Sequence, residues 1–220
     1  MKLPKIMCLL VGLLTLSLSS CGFTYFRAVP VDPQTGYFPT ASTFNQATPE
    51  RKAPVLINRK TNLAHYHGNV LVTAGTFWAR EVRYMGAFRH VMNSADLQKK
   101  IIRAGLAHRI KSLNSLLDLH HAYKVWGPFL WIHVQINAAS GNRHGMRKAE
   151  LIVTDPLTTR NLFVTRERFR FFFSKNVNDQ NTFYPLLNSL IVWIHENGGH
   201  LLHPPVPVSS VSGTGLAKGT

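Results

Sequence analysis

Phe129-Leu130-Trp131-Ile132-His133-Val134-Gln135-Ile136-Asn137 alternates along its whole length. Leu130, Ile132, Val134 and Ile136 point one way, and Trp131, His133, Gln135 and Asn137 the other. A period of two predicts a strand with one face on a core. Ala138 to Lys148 is a polar, Gly-containing loop. Ala149 to Thr154 then predicts a second strand. Asp155-Pro156-Leu157-Thr158-Thr159-Arg160-Asn161 predicts a turn, because Asp bonds back to the backbone and Pro presets φ. Leu162 to Phe173 is the returning strand.

Upstream, Val70 to Arg83 is rich in Val, Thr, Phe and Trp and reads as a strand, with Gly75 marking a bulge or bend. A helix follows, capped by Asn93 or Ser94, with Asp96 near its positive end. Leu97, Ile101 and Ala104 form its apolar face, and Gly105 with Leu106 predicts a left-handed stop. A second helix is expected from about Ser112 to Val125, where Leu113, Leu116, Leu117 and His120 share a face and Gly127-Pro128 ends it. Downstream, Thr182 is the expected cap of a last helix over Phe183 to about Asn197. Pro185 falls in its first turn, and Leu186, Leu187, Leu190, Ile191 and Ile194 line its apolar side. Gly198-Gly199 ends it. The expected fold is α/β (α+β): one small sandwich over residues 69–199, with a mixed sheet of about four strands and about three helices. No internal repeat is visible.

The flanks differ in character. Pro30, Pro33, Pro39, Pro49 and Pro54 interrupt any helix, so residues 21–68 read as an irregular tether. Its aromatics Phe23, Tyr25, Phe26, Tyr37, Phe38 and Phe44 leave three readings open: lying on a bilayer, strapping against the domain, or simple disorder over residues 22–50. Residues 200–220 read as a disordered tail. The 220 residues, 45% hydrophobic with two cysteines, exclude collagen, bulk disorder, a disulfide-knotted scaffold and a multi-span membrane protein.

Lys2 and Lys5 precede a 13-residue apolar run from Ile6 to Leu18. A spanning helix needs about 20 apolar residues, so residues 1–20 read as an export signal. Leu18-Ser19-Ser20-Cys21 follows. It resembles the lipobox of bacterial lipoprotein precursors, with an aliphatic residue, two small residues and a cysteine directly after the apolar run. The resemblance implies cleavage before Cys21, diacylglycerol on its thiol and an N-acyl chain on its amino group. It implies no other cofactor. Gly22 rather than Asp after the cysteine favours the outer membrane with the domain on its periplasmic face; the inner membrane and the cell surface are the alternatives. Cys8 leaves with the signal, so no disulfide pair remains.

Glu150-Leu151-Ile152-Val153-Thr154-Asp155-Pro156-Leu157-Thr158 with Leu162-Phe163-Val164 resembles the hairpin of a small α/β domain in bacterial envelope lipoproteins. That group includes the curli-secretion lipoprotein, the peptidoglycan-synthase activators and the TolB amino-terminal domain. Pro156 and Arg160 depart from its small turn residues, and the likeness extends over residues 69–197 in element order alone. It implies a fold and says little of function.

Eleven histidines invite a metal reading. His65 and His67 are spaced for chelation, whereas His120 and His121 point apart on a helix. His195-Glu196-Asn197-Gly198-Gly199-His200 lacks the four-residue spacing of the zinc-protease helix. No G-x-S-x-G and no carboxylate pair on one helical face is present, so the expectation is no metal site, no catalytic residue and a non-enzymatic protein. Were a site assembled from dispersed residues, His133 and His195 would be its first candidates.

The charge is the strongest remaining signal. Removing Lys2 and Lys5 leaves 23 basic against 10 acidic side chains. Arg166, Arg168, Arg170 and Lys175 alternate with hydrophobes along the last strand, and Arg143, Arg147 and Lys148 sit in the loop before the hairpin. Converging, they form an anionic-partner face. Lys99, Lys100, Arg103, Arg109 and Lys111 flank the first helix and would join that face if all of these cations converge. The expected role is a membrane-anchored envelope lipoprotein, an accessory or assembly component of a secretion or cell-wall machine. Its partners would be the membrane, envelope proteins and further copies of itself. The alternative is a surface lipoprotein whose basic face holds an anionic glycan or lipid. Nucleic acid is not the expected partner, because export removes the chain from the cytoplasm.

Overall fold

The structure, a computed structural model, describes residues 29–40, 51–138, 146–170 and 182–205. The strands are β1 (Val55–Asn58), β2 (Asn69–Val72), β3 (His90–Met92), β4 (Leu130–Ala138), β5 (Met146–Asp155) and β6 (Arg160–Arg170). The helices are α1 (Thr76–Tyr84), α2 (Ser94–Arg103), α3 (Leu116–Trp126) and α4 (Tyr184–Glu196), with a short 3-10 turn at Leu63–Tyr66. One mixed sheet of six strands runs in the order β1-β6-β5-β4-β2-β3. β2 is parallel to β3 and β4, and the other pairs are antiparallel.

The alternating stretch does form a central strand. Ile132, Val153 and Phe163 are successive cross-strand partners and share one face. α4 packs there, with Trp193 and Phe163 ring centroids 5.5 Å apart. α1 joins the same layer through Trp78, whose ring meets Phe183 at 5.1 Å. The step from β2 to β3 runs one way along the sheet and the return to β4 runs the other. Right-handed crossovers therefore put α1 and α2 on opposite faces. Leu97 and Ile101 of α2 are buried, as are Leu71 and Met92 beneath them.

Local chemistry sets the helix ends. Asn93 caps α2, accepting from the Asp96 N–H at 2.8 Å while Asp96 accepts from the Asn93 N–H. Gly105 takes φ 71°, a conformation costly to any residue with a Cβ. It lets the Leu106 N–H donate to the Ile101 carbonyl and its own N–H to the Ile102 carbonyl, both bonds of a Schellman stop. Ser115 and Asp118 make a second capping box on α3. In the hairpin, Asp155 accepts from the Leu157 N–H at 3.0 Å and the Thr158 hydroxyl at 2.7 Å.

Several expectations are corrected. The sheet has six strands rather than about four, and there are four helices rather than about three. β1 and β3 are edge strands of four and three residues, too short to show a period. Val70 to Arg83 is not one strand. It breaks at Val72, and Gly75 with φ 101° opens α1 rather than a bulge. Trp78, Val82 and Met85 are buried at helical spacing, so tertiary packing overrides the strand-forming composition. Thr182 does not cap α4, which starts with no side-chain cap bond.

The core also begins well before Asn69. Val31, Tyr37, Phe38 and Ala53 are buried in it. The cause is a polar row on α4. The buried Asn188 accepts from the Phe38 N–H at 2.8 Å and donates to the Phe38 and Arg51 carbonyls at 3.0 and 3.2 Å. Ser189 donates to the Ala53 carbonyl at 2.8 Å, and Trp193 Nε1 to the Arg59 carbonyl at 3.1 Å. Residues 29–40 and 51–61 thus strap the domain. Of the expected tail, residues 200–205 are described, and the Leu202 N–H donates to the Met85 carbonyl. The signal, Cys21 and residues 206–220 lie outside the described residues.

Candidate functional site

Of the cations expected to make a basic face, the hairpin brings Lys148, Arg166 and Arg168 to one side. Lys148 and Arg168 are direct cross-strand partners on the face opposite α4, beside the pair Glu150 and Arg166. Arg166 Nε reaches Glu150 Oε1 at 2.6 Å, so that cation is matched. Lys148 facing Arg168 places like charges opposite each other, which an anion would relieve. Arg147 is one residue out of phase and belongs to the other face. Arg170 ends β6 opposite Met146. Arg143 and Lys175 lie outside the described residues.

A denser set gathers at the β3 edge of the sheet. A groove of about 500 Å³ runs between β3, α2 and the end of α1. α2 supplies Lys99, Lys100 and Arg103, two of them one helical turn apart. Arg89 and His90 enter with β3. Arg83 ends α1, donates to the Val91 carbonyl at 3.1 Å and sits 3.6 Å from Asp96. Five permanent cations therefore face one carboxylate, with half-buried Phe88 among them. The His90 ring is held below its ordinary pKa, chiefly by the solvent it loses, then by Lys100 and Arg89. A bound anion would remove part of that opposition.

The sequence showed the α2 cations but not their companions. Arg83 was hidden in a misread strand, and β3 was too short to be seen. Arg109 and Lys111 do not join the groove. Lys111 lines a separate hollow of about 490 Å³ with Ile101, Ile102, Ile110 and Leu113.

His133 lies on the face of the sheet opposite α4. Its ring stacks on Trp131 at 4.0 Å, and Trp131 Nε1 donates to Thr73 Oγ1. Its neighbours Ile152 and Val164 are buried, and its Nδ1 is buried with no hydrogen-bond partner. Burial pushes its pKa down to about 4. The folded chain then holds fewer protons than the unfolded one between about 4 and the usual 6.5. Stability is full above pH 6.5 and falls as pH drops through that window. The loss is expected at about 1–2 kcal/mol after allowing for partial solvent access. His133→Phe keeps the stack and should flatten the parent's extra decline in melting temperature between pH 7 and 4.5. An unchanged difference between the two would refute the assignment.

Three other rings act as struts. His65 Nε2 meets the Tyr123 hydroxyl at 2.8 Å, His120 Nδ1–H donates to the Pro156 carbonyl and His121 Nε2–H to the Arg109 carbonyl. His195 is exposed in the last turn of α4. Among the described residues, no three of His, Cys, Asp and Glu gather to hold a metal. No described helix is long and apolar enough to cross a membrane. Comparison with protein-family models, with curated proteins and with solved structures returns no match.

Proposed function

We propose that this chain is a lipid-anchored component of a bacterial envelope that works by binding and positioning rather than by catalysis. The observation that carries the reading is Leu18-Ser19-Ser20-Cys21 directly behind a short apolar run. Cys21 supplies the thiolate that carries diacylglycerol. Several acyl chains, at about 0.8 kcal/mol per buried methylene, hold the protein on the outer membrane. Behind the anchor stands one α/β domain that offers charged surfaces to a neighbour. Such a part suits an accessory of a secretion or cell-wall machine.

The test is metabolic labelling with a radioactive fatty acid. The parent should incorporate label and migrate as the processed form. Cys21→Ser should drop to background label and accumulate as precursor. Label retained by Cys21→Ser would sink the reading.

The groove at β3 favours a second role for the same protein, that of holding an anionic glycan or lipid. Its five permanent cations gather at one edge against a single carboxylate, Asp96. Binding through it should weaken steeply with salt.

A further inference from the structure

The groove lies much closer to the anchor than a long tether allows. The Val29 N–H already donates to Glu81 Oε1 in α1 at 3.2 Å, and Val31 is buried two residues later. Eight peptide links separate Cys21 from Val29. Fully extended, they reach at most about 29 Å. A domain of this size is wider than that, with a radius of gyration near 15 Å. The leash therefore keeps the domain beside the bilayer. It also ends on the helix that walls the groove, because Glu81 is two residues from Arg83. A helix is only about 10–12 Å thick with its side chains, so the groove is within reach of the surface that holds the lipid.

We propose that the groove docks on the phosphate-bearing headgroups of the bilayer in which Cys21 is anchored, fixing how the domain stands on the membrane. This deepens the anchored reading above and rests on it. Arg83, Arg89 and Arg103 offer planar forks that match phosphate oxygens, and Lys99 and Lys100 add point charges. The leash makes headgroup binding intramolecular, so a weak site is well occupied. The anchor alone fixes distance; the groove adds orientation.

The experiment is cosedimentation of the purified full chain carrying Cys21→Ser, which has no acyl anchor. Vesicles of phosphatidylcholine alone are compared with vesicles that also contain phosphatidylglycerol. The leader, with Lys2 and Lys5, is the same in the parent and in every groove variant, so the anionic binding lost between them reads the groove. Binding to the anionic vesicles should exceed that to neutral ones by about tenfold or more at low salt. Replacing Lys99, Lys100 and Arg103 together by Ala should remove most of the difference. All three lie on the surface of α2, and an unchanged near-ultraviolet spectrum shows the variant folded. Arg103→Lys should keep most of the binding, and Lys111→Ala, outside the groove, all of it.

Equal binding to both vesicle types, or an anionic preference that the triple change leaves undiminished, overturns the proposal. So does a shift of the His90 ring resonances by inorganic phosphate without sedimentation on vesicles, which would mark a soluble-phosphate site. Fatty-acid labelling of the parent separates the two readings. An unlabelled parent removes the anchor and the leash, whereas a labelled parent without anionic preference leaves the anchor and removes the docking.

Discussion

Asn188→Ala is expected to destabilise the domain by about 3–5 kcal/mol, the largest single effect foreseen for this chain. The side chain is fully buried and closes the main chain of two separate segments onto α4. Its loss leaves the Phe38 N–H and the Phe38 and Arg51 carbonyls without that partner. Each buried group left unpaired costs about 1–3 kcal/mol. Phe38 also stacks on Tyr184 at 5.2 Å, so the strap should loosen as a unit. Denaturant unfolding reads the stability, and trypsin should cut after Arg51 or Lys52 much faster than in the parent. Ser189→Ala removes one donor from the Ala53 carbonyl and should cost only about 1 kcal/mol. Equal costs for the two variants would contradict the strapping role of Asn188.

The strap is also where sequence reading stopped short. The prolines of residues 30–54 disfavour helix, and the described residues of that span form none. Strapping against the domain was one of the roles left open for its aromatics, and composition could not choose between them. The hydrogen bonds of an irregular segment must still go somewhere, and here they go to Asn188, Ser189 and the Pro185 carbonyl. A clue was present, since Asn188-Ser189 interrupts the apolar stripe of an otherwise hydrophobic helix. Long periodic elements were legible. β4, α2 and the hairpin carry strong patterns, and the Asn93 and Gly105 signals at the two ends of α2 have their expected roles. The groove was half legible for the same reason. Lys99, Lys100 and Arg103 belong to a periodic helix, while Arg83 comes from the last turn of α1 and Arg89 from the residue before a three-residue strand, and only the fold brings them together.

Packing and function meet in the leash. While Asn188 holds the strap, eight links separate Cys21 from the domain. Loosening the strap as far as Ala53 would free more than twenty further residues of leash. If Cys21 is lipidated as proposed, the buried amide would then also set how far the domain stands from the bilayer, and the proposed docking of the groove would depend on that distance.

Arg51→Ala is the second large effect, and pH separates its causes. Glu167 sits on the α4 face of β6, where the expected alternation of cation and hydrophobe is broken by an acid. Its side chain is only 9% exposed and takes a 2.6 Å bond from Arg51. Burial raises its pKa more than Arg51 and the Arg168 backbone lower it. The folded chain thus holds this proton more tightly than the unfolded one. Stability contributed by the protonated carboxyl is complete below the ordinary value of 4.5 and is lost as pH rises through the higher folded value. Arg51 limits that loss. Removing it strands a buried carboxylate, and the cost at pH 7 is expected at about 2–4 kcal/mol. That lies toward the low side of a broken buried pair because Arg51 itself is partly exposed. Below pH 4, where Glu167 is protonated in both states, the difference should shrink to under about 1 kcal/mol. Adding Glu167→Gln should restore much of the stability of Arg51→Ala at pH 7 and remove its pH dependence. A cost that stays constant from pH 4 to pH 7 would instead assign Arg51 to packing alone.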